Sequence, residues 1–206
     1  MTQSHSEKPS RTHLAHGCII MASGQGARFG GNKLMAKLDG MPLVEHVMRA
    51  TSELFDERIV VTRHAEVAKL CRAAGVDVVM HNEPERNDTV RLGMEALGSC
   101  DTVTFFQADQ PLISTSSITA LLQAAEREPD CIWRASFQGT PGAPVLFPAW
   151  AFTELRALPA GKGGGFVAKA HPERVRYVEV ASSWELFDVD TPDDLQILAQ
   201  HVKQER

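Results

Sequence analysis

Ile19-Ile20-Met21-Ala22-Ser23-Gly24-Gln25-Gly26-Ala27-Arg28-Phe29-Gly30-Gly31-Asn32-Lys33 decides how this chain is to be read. A short apolar run feeds directly into a loop holding four glycines, one arginine and one lysine. Glycines let the backbone approach a ligand closely, and two fixed cations suit a phosphate-rich one. Two named glycine motifs fail here. A P-loop needs Gly-Lys-Ser/Thr, but Asn32 separates Gly31 from Lys33, and Leu34 stands where the hydroxyl belongs. A dinucleotide fingerprint needs G-x-G-x-x-G and an acid at the end of the next strand. The third glycine comes one residue late, and the strand at 58–62 ends in Arg63. The loop is then a phosphate binder of another kind, or a plain strand-to-helix connection.

Outward from the loop, β-branched runs alternate with helical patterns. Strands are expected over 17–21, 57–62, 76–80 and 102–107. Helices are expected over 42–54, 65–74, 89–97 and 114–128, the last capped by Ser114 or Ser116. This rhythm predicts an α/β fold in one domain, with a mostly parallel sheet and helices on both faces. After Pro129 it loosens. Strands are expected over 131–137, 144–147 and 175–180. A helix is expected over 149–158, and a short one after the glycine loop at 161–165. A final helix over 193–203 follows Pro192.

At 206 residues the chain fills one good core and is too short for two large domains. Its 43% hydrophobic and 23% charged content is ordinary for a globular protein. No apolar run approaches the ~20 residues that span a bilayer, so no membrane partner is expected. Residues 1–15 are polar, lack the apolar core of a secretory signal, and read as a disordered tail before a domain at 16–206. Cysteines at 18, 71, 100 and 131 lack metal or redox spacing, as do the eight histidines. Reduced thiols in a cytoplasmic protein are the expectation. A net charge of -5 without a basic run argues against nucleic acid.

Open parallel sheets bind ligands at the carboxyl ends of their strands. Four segments fall at such ends: the opening loop, His81 to Thr89, Asp109-Gln110-Pro111, and Asp188 to Thr191. Asp109 closes an apolar run and would be held rigidly, where a hard cation takes carboxylate and phosphate oxygens together. Asp190 has two readings, a second carboxylate to the same ion or a helix N-cap. Asp109 could also be a turn residue before Pro111. Arg28 and Lys33 read alone could be solvated loop charges.

The loop, Ala108-Asp109-Gln110-Pro111-Leu112, Pro141-Gly142-Ala143-Pro144-Val145-Leu146-Phe147 and Asp188-Val189-Asp190-Thr191-Pro192-Asp193-Asp194-Leu195 occur in that order. Over residues 16 to 200 this closely resembles the MobA-like nucleotidyltransferases. The branch it looks like is the molybdenum cofactor cytidylyltransferases and the relatives that accompany molybdenum hydroxylases. The resemblance implies a three-layer Rossmann-like nucleotidyltransferase fold. It implies Gly24, Gly26, Arg28 and Lys33 on the phosphates of an NTP, with CTP favoured. Ala22, Ser23, Asp88 and Thr89 would join the nucleotide site, the last two as its base-binding wall. Asp109 and Asp190 would hold Mg2+, with Arg28, Lys33 and Asp109 carrying catalysis. Gly142, Lys162 and Gly163 would face a phosphorylated acceptor of molybdopterin type, and a molybdenum hydroxylase would be a partner.

The chain departs from the pattern in three places, one being Arg86-Asn87-Asp88-Thr89-Val90 where the family has a serine-rich stretch before the third helix. Ser23 stands where the family has alanine. The loop Ala160-Gly161-Lys162-Gly163-Gly164-Gly165 lacks the family's acid, and could equally be a mobile surface loop. Two other readings therefore stay open: a sugar phosphate or other small phosphate as acceptor, and a non-catalytic accessory protein that binds nucleotide and cofactor. The expected chemistry needs no strong base, because a phosphate monoester with a second pKa of ~6 is already largely ionised.

Overall fold

A computed structural model describes residues 13–205. The opening apolar run forms β1 (His16–Ala22), with Cys18, Ile20 and Ala22 buried toward one face and Ile19 toward the other. Period-two alternation with both faces buried marks an inner strand covered on both sides. A short 3-10 turn (Lys33–Met35) leads into a small hairpin, β2 (Lys37–Leu38) and β3 (Met41–Pro42), then α1 (Leu43–Ala50). Next come β4 (Glu57–Thr62), α2 (Ala65–Ala73), β5 (Asp77–Met80), α3 (Arg86–Ala96), β6 (Thr102–Gln107) and α4 (Thr115–Arg127). The second half holds β7 (Ile132–Phe137), β8 (Thr140–Pro148), α5 (Phe152–Arg156), α6 (Gly165–Ala170), β9 (Val175–Glu179) and α7 (Pro192–Gln204).

The main sheet has seven strands in the order β5-β4-β1-β6-β8-β7-β9. β8 is antiparallel to both neighbours, and every other pairing is parallel. The chain winds outward from β1 through β4 to β5, then returns to place β6 on the other side of β1. That reversal is the topological switch point, where open sheets bind ligands.

Two cores flank the sheet. α1, α2 and α4 bury Val47, Cys71, Ile118 and Leu121 against Ile20, Val60 and Phe106. α3, α5 and α6 bury Met94, Leu155 and Val167 against Ile19, Phe105 and Phe147. A third cluster seats α7 on the hairpin through Leu38, Leu43, Val189 and Leu198. The result is the expected single-domain, three-layer, mostly parallel α/β fold.

Element boundaries differ where local hydrogen bonding overrides periodicity. α1 stops at Ala50 rather than 54, since Thr51 Oγ1 bonds back to the carbonyls of Val47 and Met48 and Glu53 takes a left-handed φ of 63°. α3 begins at Arg86, three residues before the expected start. β8 extends over Thr140–Pro148 instead of 144–147. The helix expected over 149–158 is a 3-10 turn followed by the five residues of α5. The hairpin was missed, although Asp39-Gly40, with φ of 51° and 81°, is the pair a two-residue hairpin turn demands. Residues 1–12 of the tail expected over 1–15 lie outside the described residues. Leu14 and Ala15 already bond to Glu126 and Asp101. Cys18 and Cys71 are buried, Cys100 and Cys131 partly so, and all four are free thiols. Among the described residues no helix is long and apolar enough to cross a membrane.

Candidate active site

The strand ends at the switch point open into a cleft of about 1300 Å³. The glycine loop forms one wall. Gly26 is the position that needs glycine: its φ is 62°, and a Cβ there would lie 2.2 Å from the Gly31 carbonyl oxygen. Its own carbonyl accepts from the amides of Phe29 and Gly30, closing the loop on itself. Gly24 faces the open cleft, with no atom within 4 Å of where a Cβ would stand. A hollow of about 250 Å³ inside the loop is lined by Gly24, Gln25, Gly26, Ala27, Arg28, Lys33 and Asp190.

Lys33 is the centre of the site. Its Nζ lies 2.6 Å from Asp109 Oδ2 and 2.9 Å from Asp190 Oδ1, and its side chain is only 8% exposed. Burial alone would lower its pKa, but hydrogen bonds to the two carboxylates outweigh that and raise it. Arg28 donates to the other oxygen of Asp190 at 2.8 Å and stays largely in solvent. The Lys33 bond, with the charges of both cations, holds the Asp190 carboxyl below its ordinary range. The backbone locks the partners in place. Ala108 N donates to the Met21 carbonyl, and Val189 N donates to the Asp109 carbonyl. The β1 end, the β6 end and the 188–190 segment therefore form one unit.

Asp190 is not the cap of α7. Thr191 is, with its side chain accepting from Asp194 N and Asp194 accepting in return from Thr191 N. That leaves the Asp190 carboxylate free to meet Lys33 and Arg28. Asp188, two residues earlier, remains open to the cleft. Partial removal from water there and the charges of Asp109 and Asp190 push its carboxyl up to about 6, against a hydrogen bond from Gln110.

Two carboxylates that reach one ammonium form an oxygen donor set suited to a hard cation. Among the described residues no three or more His, Cys, Asp or Glu are grouped to hold a metal by themselves. Magnesium ordinarily takes one or two carboxylates plus substrate phosphates and water, and Asp109 and Asp190 have the oxygen donors such an ion would need from the protein.

Ser23 and Thr89 line the cleft on the β4 and β5 side. Ala22 and Asp88 do not. Ala22 is fully buried, its carbonyl accepting from Thr62 Oγ1 at 2.8 Å, and Asp88 turns back to accept from Glu85 N at 3.2 Å at the start of α3. Gly142 lines the cleft beside Leu186, and Lys162 and Gly163 line it beside Arg86 at the start of α3. Gly142 is there because β8 runs antiparallel, so its first residues reach the edge where the parallel strands end. The 161–165 loop is fastened down: Gly161 N donates to Asn87 Oδ1, and Gly164 packs under Phe147.

Several lining residues were not singled out from sequence. Arg63, Arg86, Arg134 and Lys169 also line the cleft, Arg63 at the end of β4 on the Ser23 side and Arg134 in β7 across the sheet, although the chain is acidic overall. The Nε atoms of Arg63 and Arg134 are buried without a partner. Arg63 could have been found as the residue closing its strand, whereas Arg134 lies within a strand and carried no signal.

Known proteins resemble this chain in sequence and fold. The MobA-like NTP transferase domain matches residues 18–175. A 2-C-methyl-D-erythritol 4-phosphate cytidylyltransferase from Dehalococcoides mccartyi is 32% identical over 119 residues, 53% of this chain and 52% of that protein. The chain thus spans about half the length of that curated relative. Purine catabolism protein PucB of Bacillus subtilis is 26% identical over 196 residues, 87% of this chain and 94% of PucB. A solved nucleotidyl transferase from Methanothermobacter shares the fold, with a TM-score of 0.80 at 21% identity over 93% of this chain and 99% of its own.

Proposed function

The chain belongs to the MobA-like NTP transferase domain family, and on that premise we propose that it transfers a nucleotidyl group, CMP in preference, from an NTP to a terminal phosphate, releasing pyrophosphate. The acceptor is of molybdopterin type. The observation that carries the transfer reaction is the Asp109–Lys33–Asp190 bridge at the mouth of the glycine loop.

The loop amides and Arg28 receive the β- and γ-phosphates, and the base extends toward Ser23 and Thr89. A divalent cation held by Asp109 and Asp190 would neutralise charge on the phosphates. Lys33 turns its ammonium to the oxygens around the α-phosphorus, where negative charge grows in the transition state. The acceptor phosphate lies around the 161–165 loop, among Arg86, Lys162 and Lys169. Its oxygen forms a bond to the α-phosphorus. The bond from that phosphorus to the bridging oxygen breaks, and pyrophosphate departs with the electron pair. The acceptor oxygen is already ionised, so the residues bring anions together and no residue takes a proton.

The molybdopterin acceptor rests on the motif order described above. PucB, named for purine catabolism, matches nearly end to end, whereas the erythritol-phosphate enzyme matches half of the chain. That second relative favours a sugar phosphate as the alternative acceptor. Pyrophosphate release measured with CTP, GTP or UTP, magnesium, and either molybdopterin-type cofactor or sugar phosphates tests both. Turnover with CTP and the molybdenum cofactor is expected, and Asp109→Asn should lower it by about 10²–10³-fold while the protein stays folded. No turnover with any acceptor, or full activity in Asp109→Asn, would overturn the reading.

A further inference from the structure

Ser23 follows β1, lines the cleft and is 9% exposed. Its Oγ lies 3.1 Å from the Val61 carbonyl and 2.7 Å from His81 Nε2. A serine hydroxyl carries one proton and two lone pairs. A carbonyl only accepts, so the proton points to Val61. His81 must then donate from Nε2 into one lone pair.

The other protonation states of His81 are disfavoured by its surroundings. His81 is 9% exposed, and its Nδ1 is buried without a partner. A proton on Nδ1 would be an orphaned buried donor, which is rarer and costlier than an orphaned acceptor. An imidazolium would carry that same N–H. Burial and the charge of Arg63 both oppose it. Thr89 Oγ1, at 3.5 Å, is too far to compete for Nε2. One lone pair of Ser23 therefore remains, and the hydroxyl proton is not free to turn toward the cleft.

We propose that Ser23 Oγ, held as an acceptor by His81, reads the exocyclic amine of the base and selects cytosine over uracil. The inference rests on the nucleotide reading above. Cytosine carries an N4 amino donor where uracil carries an oxygen acceptor. A pinned acceptor bonds the first and repels the second. His81 touches no substrate: it is a positioning residue that denies the hydroxyl its alternative role as donor.

Calorimetric binding of CTP and UTP with magnesium, without acceptor, tests this apart from catalysis. One hydrogen bond gained or lost corresponds to about tenfold in affinity. Wild type should prefer CTP by about tenfold or more. Ser23→Ala should bring the two affinities within about threefold. His81→Phe should raise UTP binding, because the freed hydroxyl can then donate to the uracil oxygen. His81→Gln, whose amide still donates, should restore the preference. Should Ser23→Ala fail to fold, the two His81 variants decide. Equal binding of CTP and UTP by wild type, or an unchanged ratio in Ser23→Ala or His81→Phe, overturns this inference and leaves nucleotidyl transfer standing. Failure to bind any NTP overturns both.

Discussion

Lys33 shows how a residue's meaning depends on what reaches it. As a loop lysine it is a solvated charge. Buried between Asp109 and Asp190 it is the cation that keeps two carboxylates together. His81 has the opposite character, a titratable ring held neutral. Its pKa is lowered from 6.5 by burial and by Arg63, with a smaller push from Arg91, against the pull of Asp88 and Glu83. In the unfolded chain the ring takes up a proton near pH 6.5, whereas in the folded protein it does so only at lower pH. Stability owed to this group is therefore intact above pH 6.5 and falls as pH drops from there toward the folded pKa. Urea unfolding of wild type and His81→Gln at pH 7.5 and 5.5 checks it. Wild type should lose stability relative to the variant on acidification, and a constant difference would place the ring in an ordinary solvated state.

At the scale of elements, helix starts decide which carboxylates remain for chemistry. Asp88 serves α3, and Asp194 serves α7. Asp190 serves neither, and so it reaches Lys33. Asp88→Ala should cost about 1 kcal/mol, a fall of about 2–4 °C in melting temperature for a chain of this size, and change nucleotide affinity by less than threefold. A tenfold loss of affinity at unchanged stability would return Asp88 to the base-binding wall. The strands at 57–62 and 102–107 were legible to the residue, because uninterrupted β-branched and aromatic runs have no competing pattern. The start of α3 was not, because a cap is a reciprocal hydrogen bond between Glu85 and Asp88, and composition alone does not reveal it. The two-residue strands of the hairpin are too short for periodicity, and only the Asp39-Gly40 turn announced them.

Over the whole molecule, β1 and β6 lie side by side although 86 residues separate the hydrogen-bonded pair His16 and Thr102 at their bases. Their far ends carry the glycine loop and Asp109, so the clamp exists only when the sheet is closed. Nucleotide and divalent cation together should therefore stabilise the whole domain. At 100 times the dissociation constant the gain is ~2.7 kcal/mol, or roughly 5–10 °C in a thermal shift assay. The shift should vanish with chelator, and a chelator-resistant shift would remove the cation from the clamp. By itself the sequence determined the α/β class, the strand-to-loop character of 19–33, and the four segments at strand ends, since each depends on local pattern and turn chemistry. The tertiary structure decided which charges meet. It set Lys33 between Asp109 and Asp190, assigned Asp88 to a helix cap, and brought Arg63, Arg86, Arg134 and Lys169 to the lining of one cleft. The physical reason is range: periodicity and capping act over a few residues, whereas an ion pair spanning 157 positions follows from strand order and the reversal between β1 and β6.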